Sequence, residues 1–355
     1  MINAMSTPLQ TALCSFGMSG KVFHAPFIHT NPGFNFYAVW ERSKKTAHQF
    51  YPQVKSFDTL ESMLADETIE LVIINTPNVT HFEYAKMALK AGKHVIVEKP
   101  FVINVAEGDE LMALAKNQNK KISVYHNRRF DSDFRLVRSV VQEGLLGETN
   151  QVEIRYDRFK EQLSPKLHKE TPGPGAGLFY DLGSHLIDQA LQLFGKPEAV
   201  FGDLTILRPI SKVDDYFEVV LFYERKRVIL KASNQVREGV PAYVLHGSKG
   251  SLIKSRTDVQ ENDLIAGKTP GCEGWGIEPE TSKGLLHTER NNEIVREFIT
   301  PPKGNYMDYF DQLYKAIRFE EPLPVTATEG LEVIKVIEAA IKSSKEGRVV
   351  KFNVQ

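Results

Sequence analysis

Long apolar runs are missing from this chain: none reaches the roughly 18 residues that a membrane-spanning helix needs. Cysteine is scarce. The only two, Cys14 and Cys272, stand far apart and form no motif. That excludes a disulfide framework and a cysteine-rich zinc site, and it points to a reduced, cytosolic protein. Excess charge is absent too. Lysine plus arginine number 44 against 45 acidic residues, a net charge of −1, so no basic face for nucleic acid is expected. The opening MINAMSTPLQ lacks both a basic n-region and an apolar core, so it does not read as a signal peptide. There is no internal repeat, no low-complexity segment and no HExxH-type spacing, so no metal site is expected.

What is present is ordinary globular composition over 355 residues, enough for two or three domains. The first 126 residues alternate strand-like and helix-like segments. Thr11–Cys14, Phe34–Trp40, Leu71–Asn75, His94–Val97 and Ile122–Tyr125 are short apolar runs that read as buried strands. Thr59–Ala65, His81–Ala91 and Ala106–Lys116 between them read as helices. Such alternation predicts a parallel, doubly wound sheet, here a Rossmann domain over 1–126.

After Asn127 the pattern changes. A helix pattern at Phe134–Glu143 precedes an alternating strand, Gln151–Phe159, and the loop TPGPGAG leads to a helical stretch, Tyr180–Phe194. Strand candidates Ala199–Leu207, Tyr216–Tyr223, Val228–Asn234 and Tyr243–His246 follow, with ERKR and GSKG as hairpin turns. Helix patterns at Tyr306–Arg318 and Thr328–Ser344 close the chain. The expectation for 127–355 is an α+β domain with a large open, mainly antiparallel sheet. With one face uncovered, that sheet should pair with a second copy, as a dimer or a dimer of dimers.

Ser15-x-Gly17-x-x-Gly20 lies between the first strand and a helix, where the dinucleotide fingerprint G-x-G-x-x-G belongs. Met18 and Ser19 complete the loop. Serine at the first position requires a negative φ there. The second strand ends at Trp40-Glu41-Arg42, the position that reads the adenosine ribose. Glu41 argues for NAD and Arg42 for the 2′-phosphate of NADP, so the choice stays open.

Two further stretches carry chemistry. GKHVIVEKP ends a strand on Glu98-Lys99-Pro100, which aims Lys99 at the crevice where such sheets bind ligands. YDLGSHLID sets Asp181 and His185 four apart, on one face of an α-helix.

Taken together, FGMSGKVFHAP, TPNVTH, AGKHVIVEKP, SVYHNRRFDSDF and YDLGSHLIDQALQLFG resemble the Gfo/Idh/MocA family, nearest its NADP-type scyllo-inositol dehydrogenases. The resemblance extends to PVTATEGLEVIKVIEAA near the end of the chain. It implies a catalytic Lys99 followed by a cis bond to Pro100, with Asp181 and His185 as the catalytic pair. It implies cofactor contacts from Asn75, Thr76, Pro77, Asn78, His81, Asn127 and Arg128, beside those of the loop, Glu98 and Lys99. The NADP-type relatives carry a small polar residue before the arginine, so Glu41 is a departure that bears on cofactor choice.

The chemistry suits oxidation of a secondary alcohol of an inositol, sugar or related polyol. His185 would carry the proton and Lys99 would stabilise the alkoxide; alternatively Lys99 is itself the base. Tyr156, Arg158 and Tyr180, with Lys99, Asp181 and His185, are candidate hydroxyl partners, and the Trp275 indole is a candidate cover for the sugar or the nicotinamide. Asp157 and His126 are further candidates. Two other readings remain: a dinucleotide- or sugar-sensing protein without turnover, and an enzyme cycling a tightly held NAD.

Overall fold

The computed structural model describes residues 7–42 and 44–352; the first six residues of the opening segment considered above lie outside this range. The chain divides into two compact units.

The first unit holds six parallel strands: β1 (Leu9–Leu13), β2 (Phe34–Trp40), β3 (Lys55–Phe57), β4 (Leu71–Ile74), β5 (His94–Glu98) and β6 (Ile122–Tyr125). Their order is β3-β2-β1-β4-β5-β6. Chain order reverses between β1 and β4, the switch point at which doubly wound sheets bind ligands beyond their carboxyl ends. Covering on both faces explains the composition: all four residues of β4 and the centre of β5 are buried.

The unit is discontinuous. Besides the chain up to Asn127 it takes in Gln260–Trp275 and Asn305–Leu331, which a single cut at 126 does not foresee. Aromatic packing is the physical reason. Phe310, on the helix Met307–Arg318, stacks on Phe27 at 5.2 Å and meets Phe34 edge-on at 5.9 Å.

The second unit is built on a nine-stranded sheet: β7 (Thr149–Arg155), β8 (Ala199–Thr205), β9 (Tyr216–Tyr223), β10 (Lys226–Ser233), β11 (Tyr243–Gly247), β12 (Gly250–Lys254), β13 (Gly284–Arg290), β14 (Glu293–Ile299) and β15 (Val350–Lys351). Their order is β14-β13-β12-β11-β7-β10-β9-β8-β15, and only β7 with β10 runs parallel. Strict alternation buries Val152, Ile154, Val219, Leu221, Val228 and Leu230 on one face. The helices Ser132–Gln142 and Ser184–Phe194 pack against sheet strands of this unit. The expected helix over 180–194 is two pieces: a π-helical turn, Phe179–Gly183, and then the α-helix from Ser184. β3 and β12 to β15 are strands beyond those foreseen. Among the described residues no helix is long and apolar enough to cross a membrane.

Phe310→Ala, which opens a cavity against Phe27 and Phe34, should cost about 3–5 kcal/mol of unfolding free energy, read as a lower denaturation midpoint.

Candidate functional site

In the first unit, β1 passes into the loop with the Cys14 amide bonded to the Ile73 carbonyl (3.0 Å). Ser15 stays outside the left-handed region, as a serine there must, and its hydroxyl accepts from the Gly17 amide at 3.2 Å. Gly20 is forced: a Cβ there would stand 2.3 Å from the Ser15 carbonyl oxygen and 2.8 Å from Asn75 Nδ2. Asn75 Nδ2 donates to that same carbonyl at 2.8 Å, joining the ends of β1 and β4 across the switch point. Asn75 Oδ1 is buried with no protein partner. An orphan acceptor beside a glycine cradle fits a dinucleotide whose groups complete the bonding. A π-helical turn, Gly20–His24, continues into the helix Ala25–Thr30.

The Asn75–His81 segment is held by its own bonds. The Thr76 and Thr80 hydroxyls share a contact of 2.6 Å. The buried His81 ring lies between the Thr76 and Pro100 carbonyl oxygens at 3.0 and 2.8 Å, and burial lowers its pKa. The Lys99–Pro100 peptide is cis. One residue earlier, Glu98 Oε1 accepts from the Ser19 hydroxyl at 2.5 Å and meets His24 Nε2 at 2.8 Å. Glu98 Oε2 accepts from the Lys99 amide at 3.2 Å. The dinucleotide loop and Lys99 are therefore tied to one carboxylate.

At the end of β2, Glu41 turns back to its own chain. Oε1 accepts from the Thr46 amide and hydroxyl (2.9 and 3.2 Å), and Oε2 from the Ala47 amide (3.2 Å). Arg42 is exposed, and so is Met18 in the loop. Asn127 is buried at the end of this unit's first segment. Trp275, the expected cover, is wholly buried, its indole edge-on to Phe27 at 6.3 Å.

In the second unit, Asp181 lies in the π-helical turn and the buried His185 in the helix after it. Asp181 Oδ1 is bound by Lys169 Nζ at 2.6 Å, a lysine on the short helix Leu167–Glu170 that precedes the glycine–proline loop. Asp214 fixes the start of the turn, accepting from the Phe179 amide at 2.7 Å. It lies so close to Gly177, whose φ is +93°, that a Cβ there would fall 2.0 Å from its Oδ1. Arg129 grips Asp188, one turn beyond His185, through Nε at 2.9 Å and a terminal nitrogen at 2.6 Å. Arg128 pairs with Asp131 at 3.3 Å. The Tyr156 ring has the guanidinium groups of Arg256, Arg158 and Arg128 at 4.4, 4.8 and 5.4 Å from its centre. Asp157 pairs with Arg155 at 3.1 Å, and Tyr180 is half-buried in the π-helical turn.

Sequence reasoning missed His24, Lys169, Asp188 and Asp214. His24 and Asp188 stand inside motifs already singled out; Lys169 and Asp214 have no local signal. Among the described residues no three His, Cys, Asp or Glu side chains are placed to hold a metal.

Comparison with known proteins gives the family. Residues 9–126 match the family model for the NAD-binding Rossmann fold of the Gfo/Idh/MocA oxidoreductases, and residues 138–352 match that for their C-terminal alpha/beta domain. The oxidoreductase YdgJ of Escherichia coli is 38% identical over 341 residues, 96% of this chain and 98% of its own. IolW of Bacillus subtilis, named as an NADP(+) scyllo-inositol 2-dehydrogenase, is 35% identical, covering 96% of this chain and 95% of its own. The crystal structure of an oxidoreductase from Bacillus cereus superposes with a TM-score of 0.90 at 32% identity, over 98% of this chain and 99% of the other.

Burial, helped by the neighbouring Asp215, raises the Asp214 pKa from 3.8 to about 6. The folded chain thus holds this proton more tightly than the unfolded one. The resulting stabilisation is complete below about pH 4 and lost as pH rises through about 6. Asp214→Asn keeps an acceptor for the Phe179 amide and has no such step. Chemical denaturation across pH 4–7 should therefore show the variant gaining on the wild type as pH rises.

Proposed function

The chain belongs to the Gfo/Idh/MocA oxidoreductase family, and on that premise we propose that it moves a hydride between nicotinamide and a secondary alcohol or ketone of an inositol, sugar or related polyol. The observation that carries the reading is the Glu98 carboxylate, which bonds Ser19 of the dinucleotide loop, His24 of the turn that follows it and the Lys99 amide at once. Similarity to a scyllo-inositol dehydrogenase supports a polyol substrate.

Ser15, Gly17, Gly20 and Asn75 would hold the dinucleotide. When bound, its nicotinamide supplies the acceptor for the hydride leaving the carbinol carbon. Lys99 carries the positive charge that stabilises the developing alkoxide. His185 takes the hydroxyl proton in oxidation and returns it in reduction, a step worth about 10²–10⁴-fold in rate. Asp181, charge-paired with Lys169, binds a neighbouring hydroxyl or orients the imidazole.

A partner surface follows from strand register. On the sheet face opposite the core, Phe201, Val220, Ile229, Glu153, Val244, Ile253, Leu285 and Phe298 stand abreast across eight strands. Seven are apolar, and Phe298 is 64% exposed. A stripe of this length on an open sheet suits a second copy of the chain. Light scattering should give a dimer or tetramer, and Leu285→Asp should shift it toward monomer; a wild-type monomer at working concentration rejects the pairing.

A panel of inositols, hexoses and keto-sugars with NAD and NADP should produce an absorbance change for at least one member. Tight dinucleotide binding with an inert panel would instead assign a sensing role. Lys99→Ala and His185→Ala should each lower kcat by about 10²–10⁴-fold while dinucleotide affinity persists; near-normal rates would reject the role assigned.

A further inference from the structure

The α-helix that carries His185 also carries Gln189, four residues on and therefore on the same face. Gln189 leads into a cluster of positive charge. Its amide nitrogen donates to the Arg128 carbonyl at 3.3 Å. Its amide oxygen and Asp133 Oδ1 share the proton of the Tyr243 hydroxyl, both at 3.2 Å, and Arg256 donates to that hydroxyl at 2.9 Å. Arg256, Arg158 and Arg128 then surround one ring, that of Tyr156. Pairing with β10 continues past the end of β7: the Tyr156 and Arg158 amides donate to the Lys231 and Ser233 carbonyls at 3.0 and 2.8 Å. Alternation therefore sets Tyr156 and Arg158 on the face of Val152 and Ile154, opposite the apolar stripe.

Three guanidinium groups around one ring repel one another unless anions lie among them. Arg128 has one in Asp131. Arg256 spends its terminal nitrogens on the Tyr243 hydroxyl and, at 3.0 Å, on the Arg155 carbonyl, and its buried Nε meets no acceptor. The Asp133 carboxylate beyond Tyr243 is engaged by the Thr257 and Asp258 amides at 2.8 and 3.2 Å. Arg158 pairs with no carboxylate among the described residues. Lys160, two residues on, is lowered in pKa by burial and by the charge of Arg158, with Asp181 acting the other way. Asp181 is already bound by Lys169, and Glu170 is turned to the Ser164 amide at 2.8 Å and to Arg208 at 3.6 Å. Cations therefore outnumber the carboxylates left to meet them. Asn234, whose carbonyl accepts from the Lys160 amide at 2.9 Å, adds a buried Oδ1 with no protein donor. A buried donor without an acceptor and a buried acceptor without a donor are both completed by a ligand that offers an anionic oxygen and a hydroxyl.

We propose that the alcohol this chain acts on carries an acidic group, a carboxylate or a phosphate, and that Arg158 and Arg256, packed about Tyr156, receive it. The inference rests on the hydride-transfer reading given above and narrows its substrate class.

Steady-state kinetics of the full chain, with NAD+ and NADP+ each supplied in excess, test it on matched alcohols: glucose against glucuronate and glucose 6-phosphate, and myo-inositol against inositol 1-phosphate. An acidic member should exceed its neutral counterpart at least about tenfold in kcat/KM. Glucuronate in the lead assigns the site to a carboxylate, and a phosphate ester in the lead assigns it to phosphate. Added salt should raise KM for the acid and leave that for the neutral alcohol. Arg158→Gln should raise KM for the acid at least about tenfold with kcat little changed, and Arg158→Lys, which keeps the charge, should recover part of the loss. Equal or faster turnover of the neutral counterparts overturns the proposal and leaves hydride transfer intact. So does a preference for the acid that neither Arg158→Gln nor Arg256→Gln alters. A panel in which nothing is turned over removes the hydride-transfer reading, and the anion site with it.

Discussion

The Glu98 carboxylate is the point on which the first unit's chemistry turns. Burying an ion is costly unless donors replace the lost water. Here they come from three places: Ser19 in the loop, His24 at the end of the π-helical turn, and the amide of Lys99. Burial pushes the Glu98 pKa up, but His24, by hydrogen bond and by charge, together with Ser19 brings it down to about 2. The group is therefore an anion at every working pH, and the loop and the lysine keep a common anchor. His81 fixes the next residue from the other side, through the Pro100 carbonyl. Lys99 thus stands between two tethered neighbours, which limits how far its backbone can move.

A π-helical turn appears in each unit, and each adjoins residues given a chemical role. One follows the dinucleotide loop and the other contains Asp181. Such turns widen the helix and occur frequently at functional sites. An α-helical reading of the D-x-x-x-H spacing puts both groups on one uninterrupted face. In the folded chain Asp181 lies in the wider turn and is met by Lys169, while His185 lies in the α-helix that follows.

This shows where local pattern carried the reading and where it could not. The strands β4 and β5 were legible because a sheet covered on both sides demands unbroken Val/Ile-rich runs. The hairpin of β9 and β10 was legible from alternation around a short polar turn. β13 and β14 were not, since GLLHTERNNEIVREFI mixes charge into both faces of an edge hairpin. The site split in the same way. Loop glycines and a lysine after a strand are local signals. The Lys169–Asp181 pair and the placement of Asp214 against Gly177 join residues far apart in sequence, and no spacing announces them. The bonds of Glu41 carry no sequence signal for a related reason: its partners are chiefly backbone amides, which every residue type supplies.

The second unit's buried ion pairs suggest what its polar interior is for. Arg129 with Asp188 anchors the helix whose first turn bears His185. Arg208 binds Asp215 through Nε and reaches the carbonyls of Lys160 and Gln162, fixing the chain just past Arg158. Asp214, beside Asp215, holds the turn that bears Asp181. Such pairs contribute little net stability, because desolvation offsets most of their attraction, and apolar replacements of similar volume are often as stable. What apolar side chains cannot supply is direction. A bidentate guanidinium or a carboxylate on one amide sets distance and angle together. The segments so held are those that carry Arg158, Asp181 and His185, which is the distribution expected where position, more than stability, limits what the side chains can do.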